Sequence, residues 1–164
     1  MPLTTPQVQE LSRATADDLK NWRRRNIEGV PPGERGRVAD WTRAEALQIC
    51  FLKALVGSGF SLREAQRTSS ELCHFEAEFG RRGKEFPRYW GFNLLTGQKL
   101  PMGAEHTVEQ VALSLPDDQG TGALCGDGEA LGVPSDFRPG ARVVILDLGD
   151  ICRRVDAAFA EIAE

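Results

Sequence analysis

The chain has 164 residues, 41% of them hydrophobic and 27% charged, and a formal net charge of −4. That balance suits one folded domain or two small ones and excludes a disordered chain. No apolar run approaches the ~20 residues needed to span a bilayer, and the opening residues turn polar too soon for a signal peptide. The four cysteines are scattered, with no C-x-x-C pair, so a reducing cytoplasm is expected and neither a disulfide framework nor a zinc site is indicated. His74 follows Cys73, but His106 is the only other histidine. The acidic total hides a division: Met1 to Ser70 carries 11 Lys/Arg against 8 Asp/Glu, and the remainder 9 against 16. Whole-chain charge therefore does not exclude a nucleic-acid partner for the first half.

In chain order, "TTPQVQELSRA" predicts a short helix, with Thr5 as cap, Pro6 at the first helical position and Val8 and Leu11 on its apolar face. "ATADDLKNWRRRN" predicts a second, capped by Thr15, with Asp17 and Asp18 in the first turn and arginines at the end, as the helix dipole favours. Few residues separate the two, so they meet at a tight corner. "IEGVPPGERGRVADW" cannot be helical and predicts a small hairpin or wing bearing Arg35 and Arg37. "WTRAEALQICFLKALVGSG" opens with the capping box Thr42-x-x-Glu45 and continues as a third helix until Gly57 and Gly59 stop it. In "GFSLREA" the corner ends that helix, caps the next through Ser61 and Glu64, and offers Phe60 and Leu62 as an apolar plug. The fourth helix is expected to run to Phe79.

Beyond Phe79 the character changes. "GRRGKEFPR" predicts a linker. "RYWGFNLL", "TVEQVALSL" and "ARVVILDL" predict strands. Between the last two lies an acidic, glycine-rich loop, residues 116–140. Its "GTGALCGDG" has neither the P-loop lysine nor dinucleotide glycine spacing, and no cation to hold a phosphate. The closing "GDICRRVDAAFAEIAE" predicts a helix capped by Asp150, with an apolar stripe at Ile151, Val155, Ala158, Phe159 and Ile162. That stripe suits packing on the strands of its own subunit or pairing across a two-fold axis. The fold class expected is α+β, with residues 1–79 forming a winged helix-turn-helix and residues 80–164 a small α+β region of about three strands and a C-terminal helix.

The second helix carries the functional pattern. Leu19, Trp22 and Arg23 share one face, while Asp17, Lys20, Asn21 and Arg24 share another. An apolar anchor opposite an amide and long cations suits a DNA groove: Asn pairs with adenine, Arg or Lys with guanine, and the remaining cations neutralise phosphates. A basic run alone more often faces only water. A short helix, tight turn, basic helix and arginine-bearing wing in succession form the winged helix-turn-helix order.

From about Thr5 to Leu72 the chain resembles the DNA-binding domain of MerR-type transcriptional regulators. "LKNWRRRNI" stands at the recognition helix, "PPGERGRVADWT" at the wing and helix start, and "GFSLREA" at the corner. Trp22 and Arg23 replace the family's usual tyrosine and glutamate, and Ala39 stands where the wing usually has an arginine. Gly80, Gly83 and Pro87 interrupt the long helix that usually follows, and the cysteines do not match the metal-sensing branch.

The resemblance implies a cytoplasmic, sequence-specific regulator of transcription, acting on double-stranded DNA as a homodimer and most simply as a repressor by occupying a promoter. Asn21 and Arg24 are expected to reach bases, and Lys20, Arg23, Arg24, Arg25, Arg35 and Arg37 to neutralise phosphates. Thr15, Asp17 and Arg43 complete the candidate DNA-binding set. The C-terminal region is expected to dimerise, sense or contact a protein partner. Neither enzyme activity, a metal, a cofactor nor a membrane is implied. The competing readings are an architectural, recombination or packaging accessory of the excisionase or terminase kind, and a protein-binding adaptor with a vestigial helix-turn-helix.

Overall fold

The computed structural model describes residues 1–32, 40–93, 99–102 and 143–163. Four helices open the chain: α1 Thr5–Ser12, α2 Ala16–Arg24, α3 Arg43–Gly57 and α4 Leu62–Arg81. Each starts where a side chain satisfies the amide groups that the first turn leaves unpaired. Thr15 accepts from the Asp18 amide at 3.1 Å while the Asp18 carboxylate accepts from the Thr15 amide at 2.9 Å. The same reciprocal bonding joins Thr42 with Glu45 and Ser61 with Glu64. At α1 the cap is Thr4, bonded to Gln7, one residue ahead of the expected Thr5.

The ends are equally legible in physical terms. At the G-F-S-L corner Gly59 adopts φ +97°, and the Phe60 amide donates back to the Leu55 carbonyl at 3.2 Å. This glycine-closed end redirects the chain into α4. Phe60 and Leu62 are half-buried there. α4 does not stop at Phe79 as expected; it runs through Gly80 to Arg81 and is closed by Gly83 at φ +64°. A glycine within a helix weakens it without ending it, whereas a left-handed glycine just past it does end it.

The contacts divide the molecule into two units. The first comprises Met1–Phe86 together with Asp150–Glu164, and the second Pro87–Gly149. The boundary expected between residues 79 and 80 thus differs from this division, because the chain returns to its first unit at the end. The core of the helical unit includes Leu3, Val8, Leu19, Trp41, Phe51 and Leu72, all essentially inaccessible. An isolated antiparallel bridge pairs Leu3 with Trp41, and the Trp41 indole donates to Thr5 Oγ1 at 3.1 Å. Phe86 stacks on Phe51 and meets Phe79 edge-on, with centroids 6.1 Å apart in each case.

The last helix, α5 Leu148–Glu161, starts two residues before the expected cap, Asp150. Ile151, Cys152 and Val155 on its apolar stripe are buried, while Ala158, Phe159 and Ile162 are half-buried. From Asp150 onward it belongs to the helical unit. Arg154 donates to the Leu11 carbonyl of α1 at 3.1 Å, and Asp156 accepts from Arg43 of α3 at 2.6 Å.

In the second unit, β1 Tyr89–Asn93 pairs antiparallel with β2 Lys99–Met102 on one side and with β3 Val143–Asp147 on the other. Trp90 and Phe92, two apart and therefore on one face, are buried. Arg88 bonds Asp147 at 2.9 Å beside the Tyr89–Asp147 pair. β2 was not among the expected strands. It contains Pro101, which cannot donate to a ladder and is accommodated at a sheet edge. The expected strand at 107–115, the acidic loop at 116–140 and the wing at 33–39 lie outside the described residues.

Candidate nucleic-acid interface

The interface is built around α2. Leu19 and Trp22 are 1% and 4% exposed, so one edge of this short helix is fixed in the core and its rotation about its own axis is set. The opposite side presents Asp17, Lys20, Asn21, Arg24 and Arg25 to solvent, with Thr15 exposed at its cap. Nine residues make a marginal helix in isolation. Its stability comes from the buried edge, the cap and the closing turn.

That closing turn is specific. Asn26 adopts the left-handed conformation at φ +50°, its amide donates to Arg23 and the Ile27 amide donates to Trp22, both at 3.0 Å. Asparagine tolerates this conformation better than most side chains, and the buried Ile27 provides the apolar contact that accompanies such helix ends. The turn at the other end uses Arg13 at φ +58°. There Ser12 Oγ donates to the Val8 carbonyl at 2.7 Å and accepts from the Ala14 amide at 3.1 Å. The helix-turn-helix angle is thus held by buried hydrogen bonds at the corner.

Electrostatics divides the predicted cations. Arg24 donates to Asn21 Oδ1 at 3.0 Å, which brings the two expected base-reading side chains together on the exposed face. Lys20 and Arg25 have no ion pair among the described residues. Arg23 instead is half-buried and donates through Nε to the Pro31 carbonyl at 3.0 Å, tying the end of α2 to the chain that follows. Arg43 is also engaged internally: it meets Glu76 at 2.8 Å and Asp156 at 2.6 Å, and these hydrogen bonds raise its pKa further above the ordinary arginine value. Arg35 and Arg37 lie outside the described residues. The structure therefore places Asp17, Lys20, Asn21 and Arg24 on the accessible side of α2, leaves Thr15 and Arg25 exposed at its two ends, and uses Arg23 and Arg43 to brace the scaffold.

The sequence reading missed a second brace, the ion pair of Asp18 with Lys53 at 2.7 Å. Burial pushes the Asp18 carboxyl up, but the Lys53 and Thr15 hydrogen bonds outweigh it and hold the carboxyl below its usual value. Lys53 stands 35 residues away on α3, and nothing in local spacing announces the pairing.

Residues 3–72 match the family model described as MerR HTH family regulatory protein. The matched segment runs from the buried Leu3 at the Trp41 bridge to the buried Leu72 within α4, so the first four helices up to that point are a MerR-type helix-turn-helix domain. No curated protein matches the chain.

Proposed function

We propose that this MerR-type helix-turn-helix domain makes the chain a sequence-specific regulator of transcription that binds double-stranded DNA as a homodimer and represses by occupying promoter DNA. One observation carries the reading: α2 is pinned along one edge by Leu19 and Trp22, so Lys20, Asn21, Arg24 and Arg25 project together from the other. An amide next to a guanidinium is the pair of groups that reads adenine and guanine in a major groove, and flanking cations neutralise phosphates. In this reading Arg35 and Arg37 add phosphate contacts from the wing. Two-fold pairing follows from the limited affinity of a single recognition helix, for which symmetric half-sites are the common remedy. The region from residue 80 on supplies dimerisation or a protein contact, and the chain has no catalytic role.

Sequencing DNA crosslinked to the full chain, followed by footprinting, tests this. Protection of a promoter containing two half-sites, with affinity falling steeply as salt rises, is the expected result. Protection confined to an attachment or packaging site, or undiminished binding by a Lys20/Arg24 double alanine, overturns it.

A further inference from the structure

A cavity of about 470 Å³ opens among α1, α3 and α5 within the helical unit. Leu11, Cys50, Ala54 and Ile151 give it an apolar wall. Against that wall stand three cations, Arg13, Lys53 and Arg154, with one carboxylate, Asp150. Two of the cations are compensated: Lys53 pairs with Asp18 at 2.7 Å, and Arg154 with Asp150 at 2.9 Å. The Arg13 side chain has neither a hydrogen bond nor an ion pair among the described residues. Its backbone is held at φ +58° in the turn between α1 and α2.

The geometry points to a binding site for a small organic anion, an acidic group on an aromatic or aliphatic body. The acid meets the Arg13 guanidinium and the body covers the apolar wall. The volume falls within the roughly 300–1,000 Å³ of small-molecule sites, which combine apolar lining with a few placed polar groups. A DNA phosphate has use for Arg13 but none for the wall. The occupant touches the turn that sets the angle of α2 and also α5, so it bears on the DNA-reading helix through the scaffold. The site stands independently of the DNA-binding reading.

The test titrates the full chain with anilinonaphthalenesulfonate, an apolar aromatic sulfonate, by fluorescence and calorimetry. Ala54→Trp places an indole in the cavity. Arg13→Gly removes the guanidinium while leaving a residue that adopts positive φ freely. Saturable binding of one probe per chain is expected, at least tenfold weaker in Arg13→Gly and lost in Ala54→Trp, with the circular dichroism of Ala54→Trp unchanged. Unsaturable binding, or wild-type titration by Ala54→Trp, overturns the site. So does an Arg13→Gly variant that binds the probe normally but loses DNA, which assigns Arg13 to the phosphate backbone instead.

Discussion

Lys53 Nζ lies 2.7 Å from Asp18 Oδ2, so the third helix holds the N-terminal turn of α2 through the same carboxylate that caps it. Both side chains are less than a third exposed, which limits screening. Lys53→Met is expected to lower stability by about 0.5–1 kcal/mol in urea unfolding, and Asp18→Asn by more because it also weakens the cap. Their double variant should lose less than the sum. Since the folded Asp18 pKa is depressed, its contribution is fully present above the unfolded carboxylate value and is lost as pH falls through the folded one. Lys53→Met should therefore flatten the acid limb of the stability curve; an unchanged limb contradicts the pairing.

The Arg24–Asn21 bond at 3.0 Å sets a competition on the exposed face of α2. Asn21 Oδ1 accepts from Arg24 in the isolated protein, and a bidentate amide contact to adenine needs that same oxygen. On DNA the two are expected to part, each taking a base. Arg24→Ala should then cost about 1–3 kcal/mol at one position of the operator, whereas Lys20→Ala should weaken all sequences alike and reduce the salt slope by about 1. Competition binding with single-base operator variants, at several salt concentrations, separates these outcomes. Equal losses across all sequences for both variants count against base reading by Arg24.

Arg43 spans three helices by bonding Glu76 of α4 through two nitrogens and Asp156 of α5 through a third. Glu76 is only 17% exposed, so removing the cation leaves a largely desolvated carboxylate without its partner. Arg43→Met is expected to destabilise by about 1–3 kcal/mol, and Arg43→Lys to recover only part of that because an ammonium cannot reproduce the forked geometry. Asp156 is about half exposed, and its replacement should cost less. Chemical unfolding measures all three, and DNA affinity of the folded Arg43→Met protein should stay at the wild-type level.

The contrast between Arg43 and Lys20 shows where the sequence was readable. Cap residues, the corner at Gly59 and the buried pair Leu19 and Trp22 obey rules spanning four residues or fewer, so the helices and the exposed face of α2 follow from local spacing. Arg43 looks like one more cation at a helix start until the chain brings Glu76 and Asp156 to it across 33 and 113 residues. Likewise, the stripe at Ile151 and Val155 announces that α5 buries a face without naming its neighbour. Packing on strands of its own subunit or pairing across a two-fold axis was expected; from Asp150 onward the helix belongs to the helical unit, with Ile151 and Val155 buried. β2 was missed because four residues containing a proline carry little strand signal.

Cys50, Cys73 and Cys152 come from α3, α4 and α5, and burial pushes each thiol up to about 12. The neutral forms are favoured by folding, so their contribution is complete below the ordinary thiol value and is lost as pH rises from about 9 towards about 12. Stability should therefore fall on the alkaline side, and a triple serine or alanine variant should show a shallower decline. At pH 8 the three thiols should resist iodoacetamide in the native protein and react once urea unfolds it, with the sites mapped by mass spectrometry. Cys73 is only half-buried, so it is rapid native alkylation at Cys50 or Cys152 that contradicts their burial.

Gly29 presents two separable obstacles to a side chain. Its φ of +81° is a left-handed conformation, and a Cβ there would sit 2.5 Å from Gln48 Oε1. The second obstacle is soft, because the Gln48 carboxamide can swing away, but doing so gives up its 2.8 Å bond to Ser70 Oγ, which in turn donates to Glu28 at 3.0 Å. The backbone term alone is about 1–2 kcal/mol. Gly29→Ala should cost that plus a fraction for the lost bond, whereas Gln48→Ala should cost only the bond. If both effects operate, Gly29→Ala introduced into a Gln48→Ala background should cost less than in the wild type, yet still more than the backbone-neutral Ala changes on the exposed face of α2. Thermal unfolding of the four proteins in the cycle reads the difference, and a zero cost for Gly29→Ala in the Gln48→Ala background contradicts the left-handed assignment.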